Sequence, residues 1–180
     1  MDRIDQLSNI SSVVQSVHTY DNNKEYFILE TNLGITVADA KSGEVIRAFE
    51  GITEIEYNPK DGFLYSVYWD TGLYKEFFAR ANISSGEITT ISELQNIDGL
   101  IQGNSTFDYD TELYCFVSIL GVTIIDVKEE NIVKIFEGIE DIEYDHNSGK
   151  LIGLSDDMQR KLLSADMSSG EVTVLGETSI

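Results

Sequence analysis

The chain has 180 residues, of which 42% are apolar and 10% aromatic, and it sets 12 Lys and Arg against 32 Asp and Glu for a formal net charge of −20. That composition excludes a disordered chain, and its charge disfavours nucleic acid and anionic membrane surfaces, both of which are bound through clustered cations. A single cysteine, Cys115, excludes an intrachain disulfide framework and a cysteine-based zinc site, while the sign of the charge favours cationic partners or metal ions.

The first residues, Met1-Asp-Arg-Ile-Asp5, lack the basic head and apolar middle of a signal peptide. No signal peptide is therefore expected, and a secreted origin stays open. Three N-x-Ser/Thr sequons begin at Asn9, Asn82 and Asn104. The first group of elements comprises a strand ending in Tyr20, an apolar strand Tyr26–Leu29, a third strand Ile35–Ala38, a turn Asp39-Ala-Lys-Ser-Gly43-Glu44 and a strand Val45–Phe49. The second group repeats this order: a strand ending in Tyr57, then Phe63–Tyr68, Phe77–Ala81, a turn Asn82-Ile-Ser-Ser-Gly86-Glu87, and Ile88–Ile91. The only proline, Pro59, falls in a turn, where it costs no ladder hydrogen bond.

The third group runs through a strand ending in Phe107, then Leu113–Val117, Val122–Ile125, a turn Asp126-Val-Lys-Glu-Glu130-Asn131, and Ile132–Phe136. Its stretch Tyr114–Val127 is the most apolar in the chain, but Ser118, Gly121 and Thr123 break it. It reads as two strands and a turn, not a membrane span. The fourth group has a strand ending in Tyr144, then Leu151–Leu154, Leu162–Ala165, a turn Asp166-Met-Ser-Ser-Gly170-Glu171, and Val172–Leu175. Asp157–Leu163 is the best helix candidate and is not a convincing one.

The four turns share a physical logic. Asp or Asn accepts hydrogen bonds from its own backbone two residues on, and Gly supplies the positive φ that closes the hairpin. In the third copy Glu130 stands where Gly is expected, so that turn should be wider or strained. The copies are also related in pairs. Residues Gly34–Leu64 align without a gap on Gly121–Leu151 at an offset of 87, with 13 identities in 31 positions that include the run Phe-Glu-Gly-Ile at 49–52 and 136–139. At the same offset Arg3–Leu7 aligns with the outermost strand at Thr90–Leu94, which leaves one outer strand surplus to simple closure.

Four antiparallel strands every 40 to 44 residues predict an all-β, four-bladed β-propeller. The expected blades are residues 8–50, 51–94, 95–137 and 138–180, within one domain spanning 1–180. A pair of sandwiches is a further all-β reading. A lone four-stranded sheet leaves one face wet, and stacking blades buries both faces. The stretches Ile55-Glu-Tyr-Asn-Pro-Lys-Asp-Gly-Phe-Leu-Tyr65 and Asn82-Ile-Ser-Ser-Gly-Glu-Ile88 resemble, in layout, YVTN and NHL-type propeller repeats. WD-repeat marks are absent, since Trp69-Asp70 ends a second strand, where that family does not place the pair. A monomeric ring is favoured, because a two-chain ring needs two additional interfaces between molecules. The alternative is half of an eight-bladed ring completed as a homodimer.

Two places could carry chemistry. Aligning the aromatic anchors sets Thr19, Glu56, Thr106 and Glu143 at equivalent positions, with Val17, Glu54, Asn104 and Asp141 two residues earlier. If these face a common axis, the carboxylates Glu54, Glu56, Asp141 and Glu143 need a cation to stay ionised together, so a Ca²⁺, Mg²⁺ or Na⁺ ion or a water cluster is one expectation there, and the other is that they emerge at a wet rim. No cofactor is otherwise required. The second place is the aromatic set Tyr65, Tyr68, Trp69, Tyr74, Phe77 and Phe78, beside the longest insertion, Asp70–Glu76. There Trp69, Asp70 and Tyr74 are the expected ligand-contact residues. His18 and His146 sit in no catalytic motif, Cys115 lies in an apolar strand, and no phosphate loop is present. The resulting expectation is a non-enzymatic binding module that presents a loop face to a protein, peptide or glycan. The alternatives are a metal-dependent, lactonase-like hydrolase and a self-assembling structural unit.

Overall fold

The computed structural model describes residues 13–21, 24–31, 34–95, 97 and 100–177, and these contain sixteen strands and no helix. They form four sheets, each a simple antiparallel meander. The first holds β1 (Val13–Asp21), β2 (Tyr26–Thr31), β3 (Gly34–Asp39) and β4 (Val45–Phe49), and the second β5 (Thr53–Asn58), β6 (Phe63–Asp70), β7 (Lys75–Asn82) and β8 (Ile88–Glu93). The third holds β9 (Leu100–Asp108), β10 (Leu113–Ser118), β11 (Gly121–Asp126) and β12 (Asn131–Phe136). The fourth holds β13 (Ile139–Asp145), β14 (Lys150–Ser155), β15 (Lys161–Asp166) and β16 (Val172–Glu177). The surplus strand at Arg3–Leu7 and the sequon at Asn9 lie outside the described residues.

The chain divides into two compact units, Met1–Gln95 and Asn96–Ile180, each holding two sheets. In the first unit β1 meets β5, and Ile28, Ile35, Val37, Phe49, Ile52, Ile55 and Leu64 form a core shared by both sheets. In the second, β9 meets β13, and Cys115, Val122, Ile124, Phe136, Ile139, Ile142 and Leu151 form the core. Each residue of the second set stands 87 positions after its counterpart in the first. Full burial of side chains of this size stabilises by about 1.5–3 kcal/mol each, which is why so short a sheet pair can hold together.

Two polar ties recur in each unit. The Tyr57 hydroxyl donates to buried Asp21, and the Tyr144 hydroxyl donates to buried Asp108. Burial, and then these carboxylates, push both phenols well above their ordinary range. Burial also pushes Asp108 upward. Donation from the Thr111 and Tyr144 hydroxyls and from the N–H groups of Asp110 and Thr111 outweighs that effect and holds the carboxyl below its usual value. At the outer strands, Arg47 donates to the Ile83 and Ser84 carbonyls at 3.2 and 3.0 Å, and Lys134 donates to the Met167 carbonyl at 2.8 Å.

The hairpin chemistry is uniform. Asp39, Asn82, Asp126 and Asp166 each accept from the N–H groups two and three residues on, at 2.7–3.0 Å. Gly43, Gly86 and Gly170 return an N–H to the first residue's carbonyl at 2.8 Å, in the left-handed region. Glu130 takes the glycine position at φ 55°, so the third copy resolves its conflict by strain and keeps the turn length.

Tyr57, Phe107 and Tyr144 are buried anchors, but Tyr20 is 43% exposed. As the sequence suggested, Asp157–Leu163 holds no helix: Asp157 caps a tight turn to Arg160, and β15 begins at Lys161. The innermost strands also do not keep period two. A bulge between Thr53 and Glu56 on β5, and another between Glu140 and Glu143 on β13, each insert one residue. Thr53 therefore shares a face with Glu56, and Glu140 with Glu143.

Candidate functional site

The bulges decide where the acidic candidates go. Glu54 and Asp141 are the residues at the insertion, with φ of 48° and 49°. Glu54 is fully buried and Glu56 half-buried. Asp141 is exposed and paired with Arg160, which also reaches Glu140 at 3.0 Å. Glu143 accepts from the Thr106 hydroxyl at 3.3 Å, so the anchor alignment does bring those two positions together. Among the described residues no group of three or more His, Cys, Asp or Glu side chains is arranged to hold a metal ion.

The aromatic candidates converge. β6 and β7 are eight residues each, against six each for β14 and β15. Their extra pairs, Tyr68↔Phe77, Trp69↔Glu76 and Asp70↔Lys75, carry the hairpin past the level where the β14–β15 pairing stops. Along this extension the side chains sort by face. Tyr65 and Phe78 are buried and stack at 5.8 Å, and Tyr68 stacks on Phe77 at 5.5 Å. Trp69 is 44% exposed and Tyr74 77% exposed, and their rings meet edge to face at 6.5 Å.

Asp70 supports this tip. Its Oδ1 accepts from Gly72 and Leu73 at 2.8 and 2.9 Å, and its carbonyl accepts from the Tyr74 N–H at 2.8 Å. The arrangement matches the other Asx turns, and it forces Tyr74 into the left-handed region at φ 55°. A bulky aromatic in that conformation is a genuine outlier, disfavoured by about 1–2 kcal/mol.

Trp69 and Asp70 form one wall of an open cleft of about 460 Å³. Glu50, Gly51 and Ile52 line another side, and Tyr68, Thr71, Ile88 and Thr90 complete it. The Tyr68 hydroxyl and the Thr90 hydroxyl lie 2.8 Å apart, and Ile88 is 39% exposed. Sequence reasoning missed Glu50, Ile88 and Thr90. The available signal was the run Phe49-Glu50-Gly51-Ile52, in which Phe49 and Ile52 are core and Gly51 turns the chain at φ 81°, leaving Glu50 exposed at the rim.

A second cleft, of about 550 Å³, is lined by Ile119, Leu120, Gly121, Glu137, Gly138 and Asp156. Glu137 and Gly138 stand 87 residues after Glu50 and Gly51, but Asp156 stands where the first cleft has Trp69. The aromatic wall therefore belongs to one copy only.

No protein-family model and no curated protein matches the sequence. Solved structures do match. A TolB-like protein from Agrobacterium tumefaciens aligns with a TM-score of 0.67 at 10% identity, over 90% of this chain and 61% of its own. TolB from Acinetobacter baumannii aligns with 0.57 at 15% identity, over 88% and 40%. These sheets are β-propeller blades. A chain of the nidogen/laminin complex aligns with 0.58 at 13% identity, over 82% and 57%, and is consistent with the same propeller reading. In each case this chain spans under two thirds of the matched structure, and at such identities the propeller likeness is one of fold.

Proposed function

We propose that this chain is a non-enzymatic propeller binding module that presents the Trp69 cleft and the adjoining Tyr74 tip to a protein, peptide or glycan. The observation that carries the reading is Tyr74. The turn would be satisfied by glycine, as in most of its sister turns, yet it holds a large aromatic in a disfavoured conformation, largely exposed and against Trp69. Strain retained where relief is one substitution away is a mark of a contact surface, and exposed Trp and Tyr are the side chains that most often anchor interfaces. The repeat layout, with an aromatic-ended strand, an apolar strand and an Asx hairpin, aligns the module with YVTN and NHL-type blades. Trp69, Tyr74 and the rim residue Glu50 make the contact, and Asp70 positions the tip.

The test compares the wild-type chain with a Trp69→Ala/Tyr74→Gly double variant on arrays of peptides and glycans. Ligands held by the wild type should weaken about tenfold or more in the double variant, the usual effect of removing anchor aromatics. Binding that is unchanged in the double variant would move the site elsewhere.

A further inference from the structure

The cleft's chemistry narrows its ligand. This step rests on the binding reading above and adds the class of partner. The charged residues lining the cleft, Glu50 and Asp70, are both acidic, and no Lys or Arg is among the lining residues. Asp70 Oδ1 is occupied by turn N–H groups. Glu50 is exposed and makes no ion pair among the described residues. Lys75, which follows Tyr74, gives its charge to Glu93 at 2.7 Å. Tyr68 and Trp69 thus line the same cleft as a carboxylate that is unpaired among the described residues, on a chain of net charge −20.

We infer that the Trp69 cleft binds an Arg or Lys side chain of a basic peptide segment, with the cation against the Trp69 ring, which Tyr74 packs edge to face from beside the cleft, and Glu50 as its counter-charge. Ring faces attract cations, Trp most strongly and Arg most often, and the rim carboxylate adds an interaction that a neutral sugar cannot use. The field of the whole chain steers such a segment toward the protein at low ionic strength. The aromatic wall makes the encounter specific, because the second cleft has the carboxylates without Trp or Tyr.

Trp69 is the only tryptophan in the chain, so its fluorescence reports on this cleft alone. An Arg/Gly peptide, a charge-matched Glu/Gly peptide and a neutral oligosaccharide are titrated separately into the full chain at low and at physiological ionic strength. The Arg/Gly peptide should change the Trp69 signal saturably at both, with weaker binding at higher salt. Tyr74→Gly and Glu50→Gln should each weaken that binding about threefold, magnitudes set by exposed cation–π and ion-pair strengths. Glu129→Gln makes the same charge change on a hairpin outside the cleft and should leave binding unaltered.

If only the oligosaccharide or the acidic peptide moves Trp69, the cleft is a binding site and the cationic ligand is wrong. Equal weakening by Glu50→Gln and Glu129→Gln would reduce the effect to general attraction to an acidic surface and overturn the inference. Silence from all three ligands also overturns it, and the array comparison then decides whether the cleft binds anything.

Discussion

Tyr74 and Glu130 show what a side chain costs at a position shaped for glycine. Each sits at the closing residue of an Asx turn, with φ of 55°. Replacing either by glycine removes about 1–2 kcal/mol of left-handed strain and adds roughly 0.5–1 kcal/mol of chain entropy in the unfolded state. Tyr74→Gly and Glu130→Gly should therefore each stabilise the chain by up to about 1 kcal/mol in urea unfolding. Only Tyr74→Gly should also lose ligand. Gly34 and Gly121 are the converse case. A Cβ there would lie 2.1 Å from the Phe49 carbonyl oxygen and 2.2 Å from that of Phe136, at φ of 88° and 106°. The obstacle is backbone, so Gly121→Ala should destabilise by about 2–4 kcal/mol in the same measurement.

At the level of the hairpin, the turns titrate. Donation from Ser42, Ser148, Ser155 and Ser169 is the largest effect holding Asp39, Asp145, Asp157 and Asp166, respectively, below their ordinary value of 3.8. A carboxyl depressed in the folded chain stabilises it above pH 3.8, and that contribution fades as pH falls through the lower folded value. The melting temperature should hold down to about pH 4 and drop below it. Asn82 performs the same capping without a charge, so Asp166→Asn should leave stability near pH 7 almost unchanged and shift acid unfolding to lower pH. The turns were legible because their chemistry is local: Asp39-x-x-x-Gly43 states both the acceptor and the positive φ. The Glu54 and Asp141 bulges were not, because a non-glycine residue at positive φ leaves no mark in composition, and strict alternation has no place for the inserted residue. The cleft was half legible. Trp69 stood out beside an insertion in one copy, whereas Glu50, Ile88 and Thr90 join it only in the folded chain.

At the scale of the whole chain, charge opposes compactness. Acids outnumber bases 32 to 12, and the ion pairs seen, such as Lys128–Glu112 at 2.8 Å and Lys75–Glu93 at 2.7 Å, are largely exposed. Exposed pairs contribute little, while the excess negative charge repels itself. Added sodium chloride should therefore raise the melting temperature, most steeply at low concentration where screening changes fastest. A fall instead would mean that the ion pairs outweigh the repulsion.

The sole indole and the sole thiol fall in different halves of the polypeptide. Trp69 lies within Met1–Gln95, and Cys115, fully buried against the Met167 sulfur at 3.9 Å, lies within Asn96–Ile180. Emission from the first and alkylation of the second follow the opening of each half in one unmodified sample. A denaturant series would then reveal whether the halves melt as a cooperative whole or in succession.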